Sequence, residues 1–450
     1  MVGGGLAGIA AALAAAEGGA RVTVLERRGK LGGLTWSFRR RGRWFDNGQH
    51  VFLRCCTEYR GLLARLGATS MVRLQDRLEV PVLAPGGRRA DITRGGLPAP
   101  LHLVSSLARY RHLGLLDRAR LGRAALALLR LDLDDPALDE ESFGHWLRRH
   151  GQRQGAIDAL WNLIALPTLN VVADEASLAL AAMVFRTGLL DRADAGDIGW
   201  SLVPLGELHG ERAARALAEA GVSVELGAGV EAIDAQGPGA RTVVVGGQRL
   251  EADAVVVATA PETASALLGA EVLGPVHRLG SSPIVNVHLV FDRRVTELEL
   301  FAAVSSPVQF VFDRTRCAHF GVDDPEPAEQ CLSISLSGAD SLIGRRPEDL
   351  IATYREALGD LLPGVKQAQL VDAVVSRERA ATFRALPGTG ALRPGSTTAL
   401  DRVMVAGAWC ATGWPATMEG AVRSGSAAAA ATLARLGSIR PAPLLEEVGS

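Results

Sequence analysis

Glycines at positions 3, 5 and 8 form G-x-G-x-x-G within "MVGGGLAGIAAALAAAEGGARVTVLE". Gly3 suits a tight turn. Gly5 lets the main-chain N–H groups around Leu6 and Ala7 approach a pyrophosphate at the positive end of a helix, and Gly8 allows that helix to lie close to a strand. An alanine-rich helix is predicted from Ile9 to Glu17, with Gly18 and Gly19 as its stop and a strand from Arg21 to Glu26. Glu26, eighteen residues after Gly8, is placed to accept hydrogen bonds from the ribose hydroxyls of an adenosine. A glycine triad alone also suits an ordinary loop, but this strand, helix and acidic residue favour dinucleotide binding. Only Met1 and Val2 precede Gly3, whereas a central strand runs about five residues, so the expectation is that the natural start lies upstream.

The elements that must carry this loop come from a chain of 450 residues, 48% hydrophobic, which is long enough for two domains. Its net charge of -1 gives no global field for nucleic acid, and none is expected as a partner. Lys30 and Lys366 are the only lysines. Five cysteines, odd in number and without C-x-x-C spacing, argue against a disulfide scaffold or a metal site and suit the cytoplasm. No run of eighteen uncharged apolar residues occurs, so the expected protein is soluble or peripheral on a membrane's inner face.

Helical spacing with interleaved arginines runs from Leu101 to Leu131. It reads as amphipathic core helices with solvated arginine faces or, functionally, as a channel rim resting on an anionic membrane. Residues 155 to 188 suit helices broken near Pro167 and Asn170. A helix from Glu207 to Ala220, strands around Val222 to Leu226 and from Val230, and a buried strand in Ala252 to Pro261 return to nucleotide-binding grammar. Alternating strands then fill Leu273 to Phe383, with one helix near Leu350 to Leu361. Near the end, a strand, a glycine turn and an alanine-rich helix follow one another in "DRVMVAGAWCATGWPATMEGAVRSG".

The Gly32-Gly33 pair in "ERRGKLGGLTWSF" resembles the second phosphate-region motif of FAD-dependent amine oxidases and carotenoid desaturases. Together with "DNGQH" at Asp46 to His50, "LWNLIALPTLN" at Leu160 to Asn170 with "EAS" after it, and "GWPATMEGAVRSG" at Gly413 to Gly425, it resembles the hydroxysqualene dehydroxylase branch of that superfamily. The resemblance implies an α/β fold: a Rossmann-like FAD-binding domain of the amine oxidase and glutathione reductase type, with an inserted α+β substrate domain of mixed sheet and helices. The expected FAD-binding domain is residues 1–55, 205–270 and 385–436; the substrate domain is 56–204 and 271–384; a tail, 437–450, is expected to be disordered.

For FAD, the resemblance implies contacts from Gly3, Gly5, Leu6, Ala7, Gly8, Glu26, Arg27, Gly32, Gly33, Leu34, Gly48, Gln49, His50, Val230, Gly407, Trp414 and Met418. Val230 would present its main chain to adenine. Two positions depart from the pattern: Leu34 stands where an arginine is usual, and Ala408 where an aspartate contacts ribityl or phosphate groups. Arg27 or the Arg39 to Arg41 run could replace the first contact. The implied reaction is reductive dehydroxylation of hydroxysqualene or a similar polyprenoid to squalene, with electrons from an external donor. His50, Asp46 and Glu419 are the candidate proton donors; their plainer roles are loop anchor, turn residue, and helix-start or FAD contact. An oxidative carotenoid or squalene desaturase is the nearest alternative. Further off stand an amine oxidase, for which the two lysines and three tyrosines offer little, and a non-catalytic flavin-bound partner.

Overall fold

The structure, a computed structural model, describes residues 1–235, 241–322 and 328–437. The expected tail lies outside the described residues except for Gly437.

Alanine has the highest helix propensity and takes little room, which lets the first helix, Leu6–Glu17, bury most of its surface. It starts one turn earlier than the spacing predicts: Gly5 is extended, and its carbonyl already accepts the Ile9 N–H at 2.9 Å. Met1 and Val2 supply a short central strand. Val2 bridges Leu25 on one side and Val257 on the other, both in parallel. Through it Ser223–Leu226, Thr23–Glu26, Val255–Val257 and Val403–Val405 join in one parallel layer.

The C-terminal helix, Met418–Gly437, lies across the first helix at very close range. A Cβ built on Gly425 would sit 2.2 Å from the Ala7 carbonyl oxygen and 3.1 Å from Ala10 Cβ. The helix Thr57–Arg65 packs into the same layer and buries Tyr59, Leu62 and Leu63.

A seven-stranded sheet forms the second body, in the order Leu370–Thr382, Ser282–Phe291, Gln330–Leu336, Phe310–Asp313, Leu300–Ala303, Glu79–Ala84, Arg88–Thr93. All neighbours are antiparallel except Leu300–Ala303 with Glu79–Ala84. The strand Ser282–Phe291 is covered on both faces, and its period of two divides the labour. Val285, Val287 and Leu289 pack with Leu350, Tyr354 and Leu358 of the helix Pro347–Leu361. Asn286, His288 and Val290 turn the other way, where Phe45 lies against His288 and Val290.

Helical structure runs from Gln154 to Leu169 through Pro167, so the break expected at that proline does not occur. The stop is Asn170, left-handed at φ 59. Its side chain donates to the Ser282 carbonyl (2.9 Å) and Thr382 Oγ1 (3.0 Å) and accepts from the Gly338 N–H (2.6 Å), which ties the helix end to the large sheet. No helix among the described residues is long and apolar enough to cross a membrane.

Because Gly425 has backbone directly above it, Gly425→Val must push the two helices apart. The expected cost is about 1–3 kcal/mol, together with weaker FAD retention, measured by thermal melting with and without added FAD. An unchanged melting temperature would show that the helices can separate without loss.

Candidate active site

At Gly3 and Gly8 the glycine loop is built by backbone contacts that exclude any side chain. Gly3 takes φ +104, where a Cβ would meet the Ala258 carbonyl oxygen at 2.5 Å; one on Gly8 would meet the Gly3 oxygen at 1.9 Å. The second glycine pair locks onto the first. The Gly32 N–H donates to the Gly4 carbonyl at 2.8 Å, and a Cβ on Gly33 would lie 2.9 Å from Gly5 Cα. Two loops that are thirty residues apart in sequence thus form one cradle at the N-terminus of the first helix.

Glu26 is buried beside it. One carboxylate oxygen accepts from the Gly4 N–H and the other from the Arg28 N–H, both at 2.7 Å. A carboxylate offers about four acceptor positions, so capacity for ribose hydroxyls remains. Arg28, rather than Arg27, reaches the double-glycine loop, donating to the Gly33 carbonyl at 3.1 Å. The Arg27 stem runs beside Gly229, next to Val230, which opens the strand Val230–Asp234. Leu34 is exposed, and its carbonyl accepts from Asn47 Nδ2 at 3.2 Å.

Asp46 closes the hairpin Ser37–Arg40 with Arg43–Asp46 and is 5% exposed. Oδ1 accepts from Ser37 Oγ (2.6 Å) and the Leu205 N–H (2.9 Å), while Oδ2 accepts from Arg314 Nη2 (2.8 Å). Arg314 also donates to the Ser201 carbonyl at 2.5 Å, and Ser37 Oγ accepts from the Gly206 N–H at 2.8 Å. This carboxylate is an ion-paired hub with its acceptor positions largely occupied.

Next along the loop, the Gln49 N–H donates to Asn286 Oδ1 at 3.2 Å, which fixes the orientation of that amide. Asn286 Nδ2 is buried without a partner and lies 3.2 Å from where a Gly48 Cβ would be. His50 is half-buried, with Nδ1 2.9 Å from the Gly48 carbonyl. Burial pulls its pKa below the ordinary 6.5 against the opposing influence of Gly48 and Asp46.

His209, in the helical turn Glu207–Glu211, is fully buried, with Nε2 2.9 Å from the Tyr59 hydroxyl and Nδ1 without a partner. Burial, then the charge of His50, holds its pKa down to about 3, so it stays neutral.

At the C-terminal turn the Gly407 N–H donates to Ser424 Oγ at 2.8 Å, and a Cβ on Gly407 would strike Trp409 Nε1 at 2.3 Å. Trp409 Nε1 donates to the Thr259 carbonyl, and Trp414 stacks under Arg423. Met418 begins the helix, and Thr417 Oγ1 accepts from the Gly420 N–H at 3.1 Å. Glu419 is buried and occupied: it accepts from the N–H groups of Glu58 (3.2 Å) and Tyr59 (2.7 Å) and from Arg423 Nε (2.7 Å). It caps the helix Thr57–Arg65 from another element.

The structure thus gathers Gly3, Gly5, Gly8, Glu26, Gly32 and Gly33 around one cradle, and Asp46, Gly48, Gln49 and His50 along one loop beside the sheet. Arg314, Asn286, His209 and Tyr59, which no sequence pattern marked as site residues, reach these loops from distant elements. A cradle that has no room for a Cβ at Gly3, Gly8 or Gly33, a helix N-terminus without a side-chain cap, a buried unpartnered Asn286 Nδ2 and a buried unpartnered His209 Nδ1 suit a coenzyme with a diphosphate and a polar ring edge.

Fold and site define an FAD-dependent oxidoreductase. Residues 6–433 match the family of flavin containing amine oxidoreductases, and the chain belongs to it. It is 29% identical over 447 residues to the hydroxysqualene dehydroxylase of Rhodopseudomonas palustris, covering 96% of this chain and 98% of that one. It is 24% identical over 461 residues to the 15-cis-phytoene desaturase of Synechococcus elongatus, covering 97% and 95%. Among solved structures, cyclohexylamine oxidase from Brevibacterium oxydans superposes with TM-score 0.73 at 19% identity, covering 97% of this chain and 98% of that one. Putrescine oxidase bound to putrescine superposes at 0.71 and 21%, covering 96% and 98%; both show a shared fold.

Removing the cation from the Asp46 hub leaves a buried carboxylate unpaired. Arg314→Met is expected to cost about 3–5 kcal/mol in urea unfolding of the FAD-loaded protein, and Asp46→Asn combined with it less than the sum of the two. A loss under about 1 kcal/mol would mean that the loop is held by its other contacts.

Proposed function

We propose that this chain removes the hydroxyl group of hydroxysqualene reductively to give squalene, within hopanoid or related triterpene synthesis. The observation that carries this reading is the end-to-end match to two curated hydroxysqualene dehydroxylases, at 29% and 26% identity. Bound FAD in its reduced form supplies the hydride. The carbon–oxygen bond breaks as a carbon–hydrogen bond forms, and the hydroxyl leaves as water after taking up one proton. An external donor restores the electrons.

In this reading Asp46 and Glu419 are positioning residues, because each is held by an arginine and by at least one backbone N–H. His50 remains as the proton donor: its one hydrogen bond uses Nδ1 and leaves Nε2 available. Residues 1–55, 205–270 and 385–436 hold FAD, and residues 56–204 and 271–384 bind the polyprenoid.

The matches to phytoene and zeta-carotene desaturases, at 24% identity, support oxidative desaturation as the second reading. Anaerobic incubation of reduced protein with hydroxysqualene separates the two. Squalene is the expected product, whereas oxidised protein that converts a polyprene to longer-wavelength conjugated products would replace the first reading with the second. In the same assay His50→Ala is expected to keep FAD and lose turnover. The wild-type rate should fall as pH rises, with a midpoint below 6.5, because only the protonated imidazole donates and burial lowers its pKa. Full turnover in His50→Ala removes it from the mechanism.

We also propose that the protein works on the inner, anionic face of a membrane. Residues 94 to 130 contain seven arginines and one acidic residue. Leu97, Leu101, Val104, Leu115 and Leu116 of the same stretch are each more than half exposed, with Leu115 at 77%. The protein should float with phosphatidylglycerol vesicles, less so after Leu115→Ser with Leu116→Ser, and release in salt. Equal binding to neutral phosphatidylcholine, or none to either, overturns this.

A further inference from the structure

Arg393 is a buried cation that the reaction scheme above does not use. It is 8% exposed and directly follows the short helical turn Gly390–Leu392. Its Nη2 donates to the carbonyls of Cys410 (2.5 Å) and Trp414 (2.6 Å), and its Nε to that of Trp409 (3.3 Å). The neighbouring Pro394 carbonyl accepts from the Ala411 N–H at 2.8 Å, and the Phe383 ring lies 4.8 Å from the guanidinium carbon. One side chain therefore gathers three carbonyls from Trp409 to Trp414, the turn that feeds the C-terminal helix at Met418.

A guanidinium gathering carbonyls is a good clamp, but a clamp alone does not need a full charge. Among the described residues no carboxylate forms an ion pair with Arg393. Asp139 is the acidic group that acts on it from nearby without pairing with it; its two oxygens accept from Ser177 Oγ (2.5 Å) and the Gly390 N–H (2.7 Å). The Cys410 thiol is neutral, since burial pushes its pKa up to about 12. Burial lowers the pKa of Arg393 to about 10, which still leaves it charged at neutral pH. A buried cation whose direct contacts are carbonyl dipoles and an aromatic face, with Asp139 acting on it only from a distance, is costly unless an anion completes it.

We infer that Arg393 both positions the flavin-facing turn and supplies the positive charge that makes this site prefer the anionic, reduced coenzyme to the oxidised one. The inference rests on assigning the Gly407–Met418 turn to the flavin ring, and not on the identity of the substrate. Arg393 touches no reacting atom here, so its role is that of a positioning residue.

The test uses FAD-loaded protein without substrate, so it stands or falls independently of dehydroxylation. The flavin potential is measured against a reference dye, and FAD dissociation is measured for the oxidised and reduced forms. For Arg393→Met the expected result is a tenfold fall in the preference for reduced over oxidised FAD, about 30 mV more negative for a two-electron couple. Arg393→Lys keeps the charge but loses the fork, so it should hold FAD more loosely at a nearly native potential. An unmoved potential in Arg393→Met, even with a lower melting temperature, overturns the inference and leaves a fold residue only. So does an Arg393→Lys potential shifted as far as that of the methionine variant. If Arg393→Met is isolated without flavin, the lysine variant decides: a near-native potential supports the inference, and a shifted potential or loss of flavin overturns it.

Discussion

Main chain packed directly on main chain is the constraint on which this molecule depends. Gly8 over Gly3, Gly33 over Gly5 and Gly425 over Ala7 leave less room than a methyl group needs. Those contacts bring the first helix, the double-glycine loop and the C-terminal helix together around the N-terminus of the first helix, where the first-turn N–H groups lack helical partners. Dispersion between so few atoms is small, so the gain lies elsewhere. Close approach fixes the direction of several N–H dipoles before any ligand arrives, which suits a diphosphate.

Polar tethers do for the rest of the site what glycine does for the cradle. Asp46 joins the hairpin, the Leu205–Gly206 turn and, through Arg314, the segment after Phe310–Asp313. Asn170 joins the middle helices to Ser282 and Gly338. Glu419 joins the C-terminal helix to the start of Thr57–Arg65. Each of these residues is buried, and each links chain segments far apart in sequence. Buried polar groups that are fully bonded define a unique arrangement even where their net stabilisation is modest.

The glycine loops, the strand after the first helix and the C-terminal turn were legible in the sequence because glycine spacing and alanine composition report a local backbone requirement. Asn170 was legible for the same reason, since asparagine tolerates the left-handed conformation that ends a helix. Pro167 misled because the helix continues through it to Leu169 despite the lost N–H, and the chain turns only at the left-handed Asn170. Arg314 and Asn286 carried no local signal. Their partners lie 268 and 237 residues away, and nothing in "FDRTRC" or "IVNVHLVFD" distinguishes a site residue from an ordinary core one. Asp46 and Glu419 were picked out by motif, but a motif does not reveal that a carboxylate's lone pairs are already occupied.

The two-faced strand Ser282–Phe291 joins the apolar backing of the large sheet to the loop that carries Gly48 and Gln49. Substitutions at Val285, Val287 and Leu289 act on the helix behind the sheet, whereas changes at Asn286 and His288 reach the loop carrying Gly48 and Gln49. Neighbouring positions on one ribbon therefore carry different physical loads, so a change of side chain along its polar edge leaves the buried apolar backing undisturbed.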